Sequence, residues 1–276
     1  MQSNISRKPA GTRIRVNGVD LYYEEQGSGP ETIFFAHGLL WSGCMFDEQI
    51  ASLKDRYRCI AFDHRGQGQS EVTRDGYDMD TLYEDAAALI TTLGGTPCHF
   101  LGLSMGGFVG LRLAARRPEL LKSLMLLETS AGPETKENRA KYQQLIIIAR
   151  WLSLGLVSKQ VMKVMFGQKF LNDPARAELQ REWQQRLVHN HRIGSTRATT
   201  GVITRQDVYG ELEKIHLPTL IIVGDQDVAT PLPNAQRLHE GIAGSQLVII
   251  PGAGHTSTVE EPAAVNAALH HFLEGL

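Results

Sequence analysis

A serine between two glycines is the residue in this sequence best suited to covalent chemistry. Ser104 stands in the run Gly102-Leu103-Ser104-Met105-Gly106, directly after an apolar stretch at residues 98–103. The pattern Gly-x-Ser-x-Gly is typical of a sharp strand-to-helix turn, in which the glycines let neighbouring backbone approach closely. Such a turn exposes the hydroxyl and directs the N–H of Met105 toward any negatively charged oxygen formed there. The motif predicts a nucleophilic serine, with Met105 as one donor of an oxyanion hole.

Two further side chains could activate that serine. A serine hydroxyl needs a base to take its proton, and the base needs a carboxylate to hold it in one tautomer. Asp227 and His255 each follow an apolar run that predicts a strand, at residues 219–223 and 246–250 respectively. Parallel strands would bring all three residues to the same edge of a sheet. We therefore predict a catalytic triad of Ser104, Asp227 and His255.

Alternating strands and helices would position these residues. Asn17-Gly18 is a strong hairpin signal, so the chain is predicted to open with an antiparallel pair of strands. Capping-box patterns, Thr81-x-x-Glu84 and Thr258-x-x-Glu261, predict the starts of two helices. Further strands are predicted at residues 32–36, 58–62, 98–103, 121–127, 219–223 and 246–250. The sequence thus predicts an α/β fold with a mostly parallel central sheet flanked by helices.

One long segment interrupts the alternation. Residues 132–207 contain apolar residues at helical spacing and no strand-like run. We therefore predict a core domain formed by residues 1–131 and 208–276, and a helical cap, or lid, formed by residues 132–207.

Composition and charge limit the partners that the sequence predicts. The 276 residues include 28 lysines and arginines against 30 aspartates and glutamates, a net charge of −2. This balance gives no electrostatic reason to expect nucleic acid or an anionic membrane as a partner. The cysteines Cys44, Cys59 and Cys98 show no paired spacing and are expected to be reduced thiols. His189 and His191 have no third ligand beside them, so we predict no metal site.

The sequence also predicts a cytoplasmic protein without a membrane span. The first fifteen residues are polar and lack the apolar stretch of an export signal. The most apolar later run, residues 145–157, contains Arg150 and Gly155 and is shorter than the ~20 residues that cross a bilayer.

Several motifs together make the chain resemble one enzyme superfamily. It is similar to α/β-hydrolases of the group that contains 3-oxoadipate enol-lactonases, cofactor-free haloperoxidases (perhydrolases), C–C bond hydrolases and carboxylesterases. The resemblance covers residues 19–131 and 208–275, through His37-Gly38, Asp63-x-Arg65-Gly66-x-Gly68-x-Ser70, Gly102-Leu103-Ser104-Met105-Gly106-Gly107, Gly224-x-x-Asp227 and Gly254-His255. In that family the serine, the acid and the histidine follow the same chain order. The motifs are specific for the superfamily and only weakly specific for the substrate.

The resemblance assigns a role to each triad residue. It implies Ser104 as the nucleophile, His255 as the general base and acid, and Asp227 as the orienting carboxylate. Two alternatives for the acid stay open. Asp225 lies two residues before Asp227, and Glu128 lies at the end of the strand that follows the nucleophile helix, where some family members carry their acid.

The resemblance also implies where the remaining site residues lie. The second oxyanion donor is expected directly after His37-Gly38, as the N–H of Leu39, with that of Leu40 as the alternative. His37 is expected to orient this loop. A lid implies an apolar underside that shapes an acyl pocket, with lining residues expected at Trp41, Met162 and Met165.

The function that these implications favour is hydrolysis of a carboxylic ester or lactone with an apolar acyl portion, through an acyl-enzyme and without a cofactor. Serine at the strand-to-helix turn, or elbow, argues against epoxide hydrolases and dehalogenases of this fold, which need aspartate there. A lactonase, a C–C bond hydrolase or a perhydrolase with the same triad is an alternative. A ligand-binding receptor on the same fold is an alternative of another class.

Overall fold

A computed structural model describes residues 11–276 of the protein. The predicted start of the core domain, at residue 1, lies outside the described residues. So do ten of the first fifteen residues, in which no export signal is expected.

Eight strands form one sheet in the order β1-β2-β4-β3-β5-β6-β7-β8. They are β1 (Thr12–Val16), β2 (Val19–Gln26), β3 (Glu31–Ala36), β4 (Tyr57–Phe62), β5 (Cys98–Leu103), β6 (Leu121–Leu127), β7 (Thr219–Gly224) and β8 (Gln246–Ile250).

The sheet is antiparallel at one edge and parallel elsewhere. β1 pairs antiparallel with β2, and β2 pairs antiparallel with β4. All the other neighbouring strands are parallel. At the first hairpin Asn17 and Gly18 have φ values of 42° and 76°, as a tight type I′ turn requires. The predicted mostly parallel α/β sheet is confirmed.

Helices cover both faces of this sheet. Those in residues 11–276 are α1 (Asp47–Leu53), α2 (Met79–Leu93), α3 (Met105–Arg116), α4 (Lys136–Trp151), α5 (Leu154–Met165), α6 (Gln168–Leu171), α7 (Ala177–His189), α8 (Arg192–Ile203), α9 (Leu232–Gly241), α10 (Ser257–Glu260) and α11 (Pro262–Glu274). Helix α1 and the single 3₁₀ turn before it, at Gly43–Phe46, were not predicted from the sequence.

Both predicted capping boxes are wrong. α2 begins at Met79 because the Asp78 carboxylate accepts hydrogen bonds from the N–H and the hydroxyl of Thr81, at 2.9 and 2.7 Å. Asp78 is therefore the cap, and Thr81 lies inside the helix. Near the C-terminus Thr258 lies inside the short helix α10, and α11 begins only at Pro262.

The core consists of two apolar clusters, one on each face of the sheet. Phe34 and Phe100 belong to the cluster that includes residues of α2 and α3. Phe35 and Leu101 belong to the cluster that includes residues of α1, α11 and α5. Neighbouring residues of one strand enter different clusters because successive strand side chains point to opposite faces. This double burial explains why β3 and β5 appear in the sequence as continuous apolar runs.

Five helices, α4 to α8, occupy the long segment between β6 and β7, and residues 128–218, all of which the structure describes, contain no strand. α4 packs against α5 and α8, and α5 packs against α7. The division of the chain into a core domain and a cap domain stays a prediction. None of the helices in the described part of the chain is long and apolar enough to cross a membrane.

Candidate active site

Ser104 occupies the turn between β5 and α3. Its φ of 52° lies in the left-handed region, which is costly for a serine and indicates a backbone held by its surroundings. A Cβ on Gly102 would overlap the carbonyl of Gly106, and a Cβ on Gly106 would overlap the carbonyl of Ala36. The glycines at both positions thus permit the sharp turn that the motif predicts.

His255 lies in the loop after β8 and links the serine to a carboxylate. Its Nε2 lies 2.8 Å from the Ser104 Oγ, and its Nδ1 lies 2.9 Å from the Asp227 Oδ2. The carboxylate can only accept a hydrogen bond, so Nδ1 carries the proton and Nε2 is free to accept the serine proton. The three predicted residues therefore form one hydrogen-bonded line, and all three are buried.

Asp227 is held by several donors at the end of β7. Its Oδ1 accepts hydrogen bonds from the N–H groups of Ala229 and Thr230, at 2.8 and 3.1 Å. Its Oδ2 also accepts the Thr230 hydroxyl, at 2.8 Å. Burial raises the pKa of Asp227, but the attraction of His255 and the hydrogen bonds from His255 and Thr230 outweigh it and hold the pKa below its ordinary value. Asp227 is therefore ionised at neutral pH.

The two alternative acids have other environments. Asp225 is exposed and its Oδ1 accepts the N–H of Gly252, at 2.7 Å, which shapes the loop that carries His255. Glu128 is fully buried, and its carboxyl lies close to the Ser257 hydroxyl and the backbone of Gly224 rather than to His255. Burial, together with the nearby charges of Asp227 and Glu260, raises the pKa of Glu128 well above its ordinary value. Of the three candidate acids, the structure brings Asp227 to His255.

Glu128 yields a prediction about stability. A carboxyl group whose pKa is higher in the folded than in the unfolded chain loses stability as the pH rises above its unfolded value, near 4.5. Glutamine has no such proton to lose. We expect Glu128→Gln to gain stability relative to the wild type by up to about 1.4 kcal/mol for each pH unit above that value, until the folded pKa is passed. Urea denaturation at acidic and alkaline pH measures this gain, and an equal difference at both would contradict it.

The loop after β3 supplies the candidate oxyanion hole. A Cβ on Gly38 would lie 3.4 Å from the Ser104 Cβ, so this loop packs against the elbow. Within residues 11–276 the N–H groups of Leu39 and Met105 donate no hydrogen bond. The N–H of Leu40, the alternative donor, is already engaged by the Gln67 Oε1 at 2.7 Å. This pattern favours Leu39 over Leu40.

His37 and the motif from Asp63 to Ser70 pack against the loop after β3 and hold it by hydrogen bonds. The Nε2 of His37 accepts the N–H of His64 at 2.9 Å, and its Nδ1–H therefore donates to the Gly38 carbonyl at 2.7 Å. Burial lowers the pKa of His37 to about 4, which keeps it neutral in this role. Ser70 donates its hydroxyl to the Asp63 carbonyl at 2.6 Å and closes the motif into a compact turn.

A mostly apolar cavity of about 100 Å³ lies over the serine. Ser104 and His255 line it together with Leu39 and with apolar residues of α4, α5 and α8. Met165 lines it as expected. Trp41 and Met162 do not. Trp41 packs edge-on against Trp183, with the ring centroids 5.1 Å apart, and Met162 is buried in the same apolar cluster as Met165 without reaching the cavity.

Several polar groups near the site were not found from the sequence. Arg205 and Glu134 form a largely buried ion pair of 3.0 Å in the cavity wall. Glu260 accepts the N–H groups of Gly254 and Thr256, at 3.0 and 3.2 Å, on either side of His255. Its other oxygen accepts the N–H of Gly167, between α5 and α6, at 2.7 Å. The signal in the sequence for the contact between Glu260 and the His255 loop was a glutamate five residues after the histidine.

His189 and His191, which could in principle bind a metal, make hydrogen bonds within helices instead. His191 caps α8 by accepting the N–H of Gly194 at 3.2 Å, and His189 donates to the Gln185 carbonyl at 2.7 Å. In the part of the chain that the structure describes, no group of three histidine, cysteine or acidic side chains could hold a metal ion.

Known proteins resemble this chain over nearly its full length. The model of the alpha/beta hydrolase family matches residues 33–268. The chain is 32% identical over 257 residues to the AB hydrolase superfamily protein YisY of Bacillus subtilis, covering 92% of this chain and 95% of that one. It is 30% identical over 246 residues to 3-oxoadipate enol-lactonase 2 of Acinetobacter baylyi, covering 88% of each. A solved thermophilic esterase from Thermogutta terrifontis matches with a TM-score of 0.89 and 26% identity, over 97% of this chain and 99% of that one.

Proposed function

Because this chain belongs to the α/β-hydrolase family and has its fold, we propose that it is a serine hydrolase that cleaves carboxylic esters or lactones through an acyl-enzyme intermediate. The observation that carries the proposal is the hydrogen-bonded line from Ser104 through His255 to Asp227, with distances of 2.8 and 2.9 Å. Relatives that are named for lactone and ester cleavage support this choice of bond.

In the first half of the proposed reaction, the Ser104 Oγ attacks the carbonyl carbon while its proton passes to the His255 Nε2. The negative charge that develops on the carbonyl oxygen is stabilised by the N–H groups of Leu39 and Met105. Collapse of this intermediate breaks the bond to the leaving oxygen, which takes the proton from His255. With a lactone substrate the new hydroxyl group stays attached to the acyl chain.

In the second half, water replaces the leaving alcohol. His255 takes a proton from the water, whose oxygen attacks the acyl carbon, and the charge again develops in the oxyanion hole. The bond from the acyl carbon to the Ser104 Oγ then breaks, and the serine recovers its proton from His255. The products are a carboxylic acid and the free enzyme, so only water is consumed and no cofactor is needed.

We further propose that residues 132–207 act as a cap domain on a core of residues 1–131 and 208–276. Helices α4, α5 and α8 of this segment contribute Leu145, Val161 and Val202 to the cavity wall. Since most of the wall is apolar, the acyl portion that fits it is apolar as well.

The dimensions of the cavity predict a dependence on acyl chain length. A water needs roughly 10–15 Å³ of such space, so about 100 Å³ holds the equivalent of roughly seven to ten waters. With p-nitrophenyl esters we expect kcat/KM to rise by up to about fourfold per CH₂, since each buried CH₂ contributes about 0.8 kcal/mol. The rise should stop near about eight carbons, where the cavity is full. An equal rate for acetyl and octanoyl esters would contradict an apolar acyl pocket.

The same assay separates the alternatives. A set of lactones measured beside the esters distinguishes a lactonase, a vinylogous diketone tests C–C bond hydrolysis, and a carboxylic acid with hydrogen peroxide tests perhydrolysis. Tight binding of these compounds with negligible turnover would favour the ligand-binding receptor instead.

Glu260 is expected to act as a positioning residue for His255. Both oxygens of the Glu260 carboxylate accept backbone N–H groups, three in all. The amide of glutamine has only one oxygen, so its NH₂ would face at least one of these N–H donors. We expect Glu260→Gln to lower kcat by up to about a hundredfold, with a smaller change in KM, because the imidazole is misplaced. Burial raises the pKa of Glu260 to about 7, so its protonation below that pH should weaken the same contacts.

The pH profile distinguishes positioning from a merely structural role. In the wild type the pKa of Glu260 is about 7, so its protonation should add to the loss of activity at acidic pH and make the acidic limb of log kcat/KM steeper than in Glu260→Gln. Identical limbs in both proteins would contradict the role of Glu260.

A further inference from the structure

Two helices of the proposed cap, α4 and α5, and the turn between them expose a concentrated set of apolar side chains. Of the nine large apolar residues that are exposed within residues 11–276, five lie within ten residues of one another. They are Ile147, Ile148, Trp151, Leu152 and Leu156, and we call them the apolar patch. Trp151 is 77% exposed and Leu156 is 67% exposed. Scattered apolar residues on a surface are ordinary, but a contiguous group of this kind marks an interaction site.

The patch lies on the outer face of the helices whose inner face lines the cavity. On α4, Leu145 and Ala149 line the cavity, whereas Ile147 and Trp151, one turn apart, are exposed. None of the five residues of the apolar patch belongs to either apolar cluster of the core, so burial in the core does not account for them.

The same segment has a strongly asymmetric charge. Residues 138–172 contain six basic residues and no acidic residue, in a chain whose net charge is −2. The six are Arg139, Lys141, Arg150, Lys159, Lys163 and Lys169. Lys169 pairs with Glu261, but the other five have no ion pair within residues 11–276. On α5, Lys159 and Lys163 follow Leu156 at spacings of three and seven, so they lie on the same exposed face.

We propose that this face of α4 and α5 docks on the surface of an anionic phospholipid bilayer. Exposed apolar side chains, including a tryptophan, that are accompanied by the exposed lysines Lys141, Lys159 and Lys163 are the features of an interfacial amphipathic helix. A second copy of the chain would bring like charges together on the two patches, and nucleic acid offers no apolar phase for Trp151 and Leu156. Such docking would depart from the expectation that the net charge of the whole chain gives.

Docking in this orientation would place the cavity on the inner face of α4 and α5 close to the lipid. If the proposed esterase function is correct, apolar substrates could then reach it from the membrane phase. The docking itself does not depend on catalysis, so its test needs no turnover.

Trp151 provides the readout. The other two tryptophans, Trp41 and Trp183, are only 3% and 5% exposed. The emission of the full chain should therefore shift to the blue on phosphatidylcholine vesicles that contain phosphatidylglycerol, because Trp151 enters the interface. Co-sedimentation should show binding to the same vesicles, weakened by high salt, and little binding to phosphatidylcholine alone. Trp151→Phe should keep the binding and lose the shift.

Charge variants complete the test. One basic residue near an anionic surface contributes roughly fivefold to partitioning, so Lys159→Gln with Lys163→Gln should weaken vesicle binding by about 30-fold. Lys54→Gln with Lys214→Gln lowers the net charge equally outside this segment and should have little effect. Three results would overturn the proposal: no partitioning, equal binding to neutral and anionic vesicles, or a blue shift that appears without lipid as the chain dimerises.

Discussion

Replacement of Ser104 by alanine is expected to lower kcat for ester hydrolysis by roughly a million-fold, with little effect on substrate binding. The methyl group cannot attack a carbonyl, and within residues 11–276 no other hydroxyl is hydrogen-bonded to the His255 Nε2. Release of p-nitrophenol at saturating substrate measures the loss, and circular dichroism verifies the fold.

Ser195 offers a matched control for this variant. Its hydroxyl lies in the wall of the same cavity and, within residues 11–276, has no hydrogen-bond partner. Ser195→Ala removes the same oxygen atom from the same cavity and should cost far less activity. If Ser104→Ala retained as much activity as Ser195→Ala, Ser104 would not be the nucleophile.

Replacement of Asp227 by asparagine is expected to lower kcat by about ten-thousandfold, because an amide NH₂ facing the His255 Nδ1 favours the wrong tautomer. The asparagine oxygen can still accept the N–H groups of Ala229 and Thr230, so the loop should keep its shape. Pre-steady-state measurement of p-nitrophenol release, in which acyl-enzyme formation is observed directly, tests this variant most clearly.

Two matched carboxyl variants accompany it. Asp225→Asn keeps an oxygen for the Gly252 N–H and should have near wild-type activity. Glu128→Gln should likewise keep its activity, because His255 is hydrogen-bonded to Asp227 and Ser104 and not to the Glu128 carboxyl. A ten-thousandfold loss in either of these, with Asp227→Asn active, would move the acid to that residue.

Much of the fold could be predicted from the sequence because its strands are short apolar runs between turn residues. The α/β-hydrolase fold is confirmed, and the hairpin at Asn17-Gly18 follows from two residues that tolerate positive φ. Helix starts were less predictable. Asp78 and Thr81 both have side chains that can cap a helix, and only the folded geometry shows that Asp78 does so.

Some positions in the candidate site could likewise be predicted from the sequence, and others could not. Ser104, Asp227 and His255 follow strands, so their meeting at one edge of the sheet could be expected from the topology alone. Which residue of the proposed lid lines the cavity could not be predicted, because Met162 and Met165 differ by less than one helical turn and only Met165 faces it. The choice of Leu39 over Leu40 depends on a bond from Gln67, which lies 27 residues away in sequence.

Whole-chain averages conceal local chemistry in the proposed cap. The net charge of −2 predicts no affinity for anionic surfaces, yet residues 138–172 hold six basic and no acidic residues. The exposure of Trp151 and Leu156 became visible only in the structure, because the periodicity of α4 and α5 is equally consistent with full burial of their apolar residues.

Covalent labelling tests the central claim most directly. The protein is treated with an alkyl fluorophosphonate, in which an activated serine oxygen displaces fluoride from phosphorus, and is then analysed by intact-mass and peptide mass spectrometry. The account predicts one adduct per chain, on the peptide that contains Ser104, together with full loss of esterase activity and no label in Ser104→Ala. An active protein that stays unlabelled, or an inactivating adduct on another residue, would contradict it.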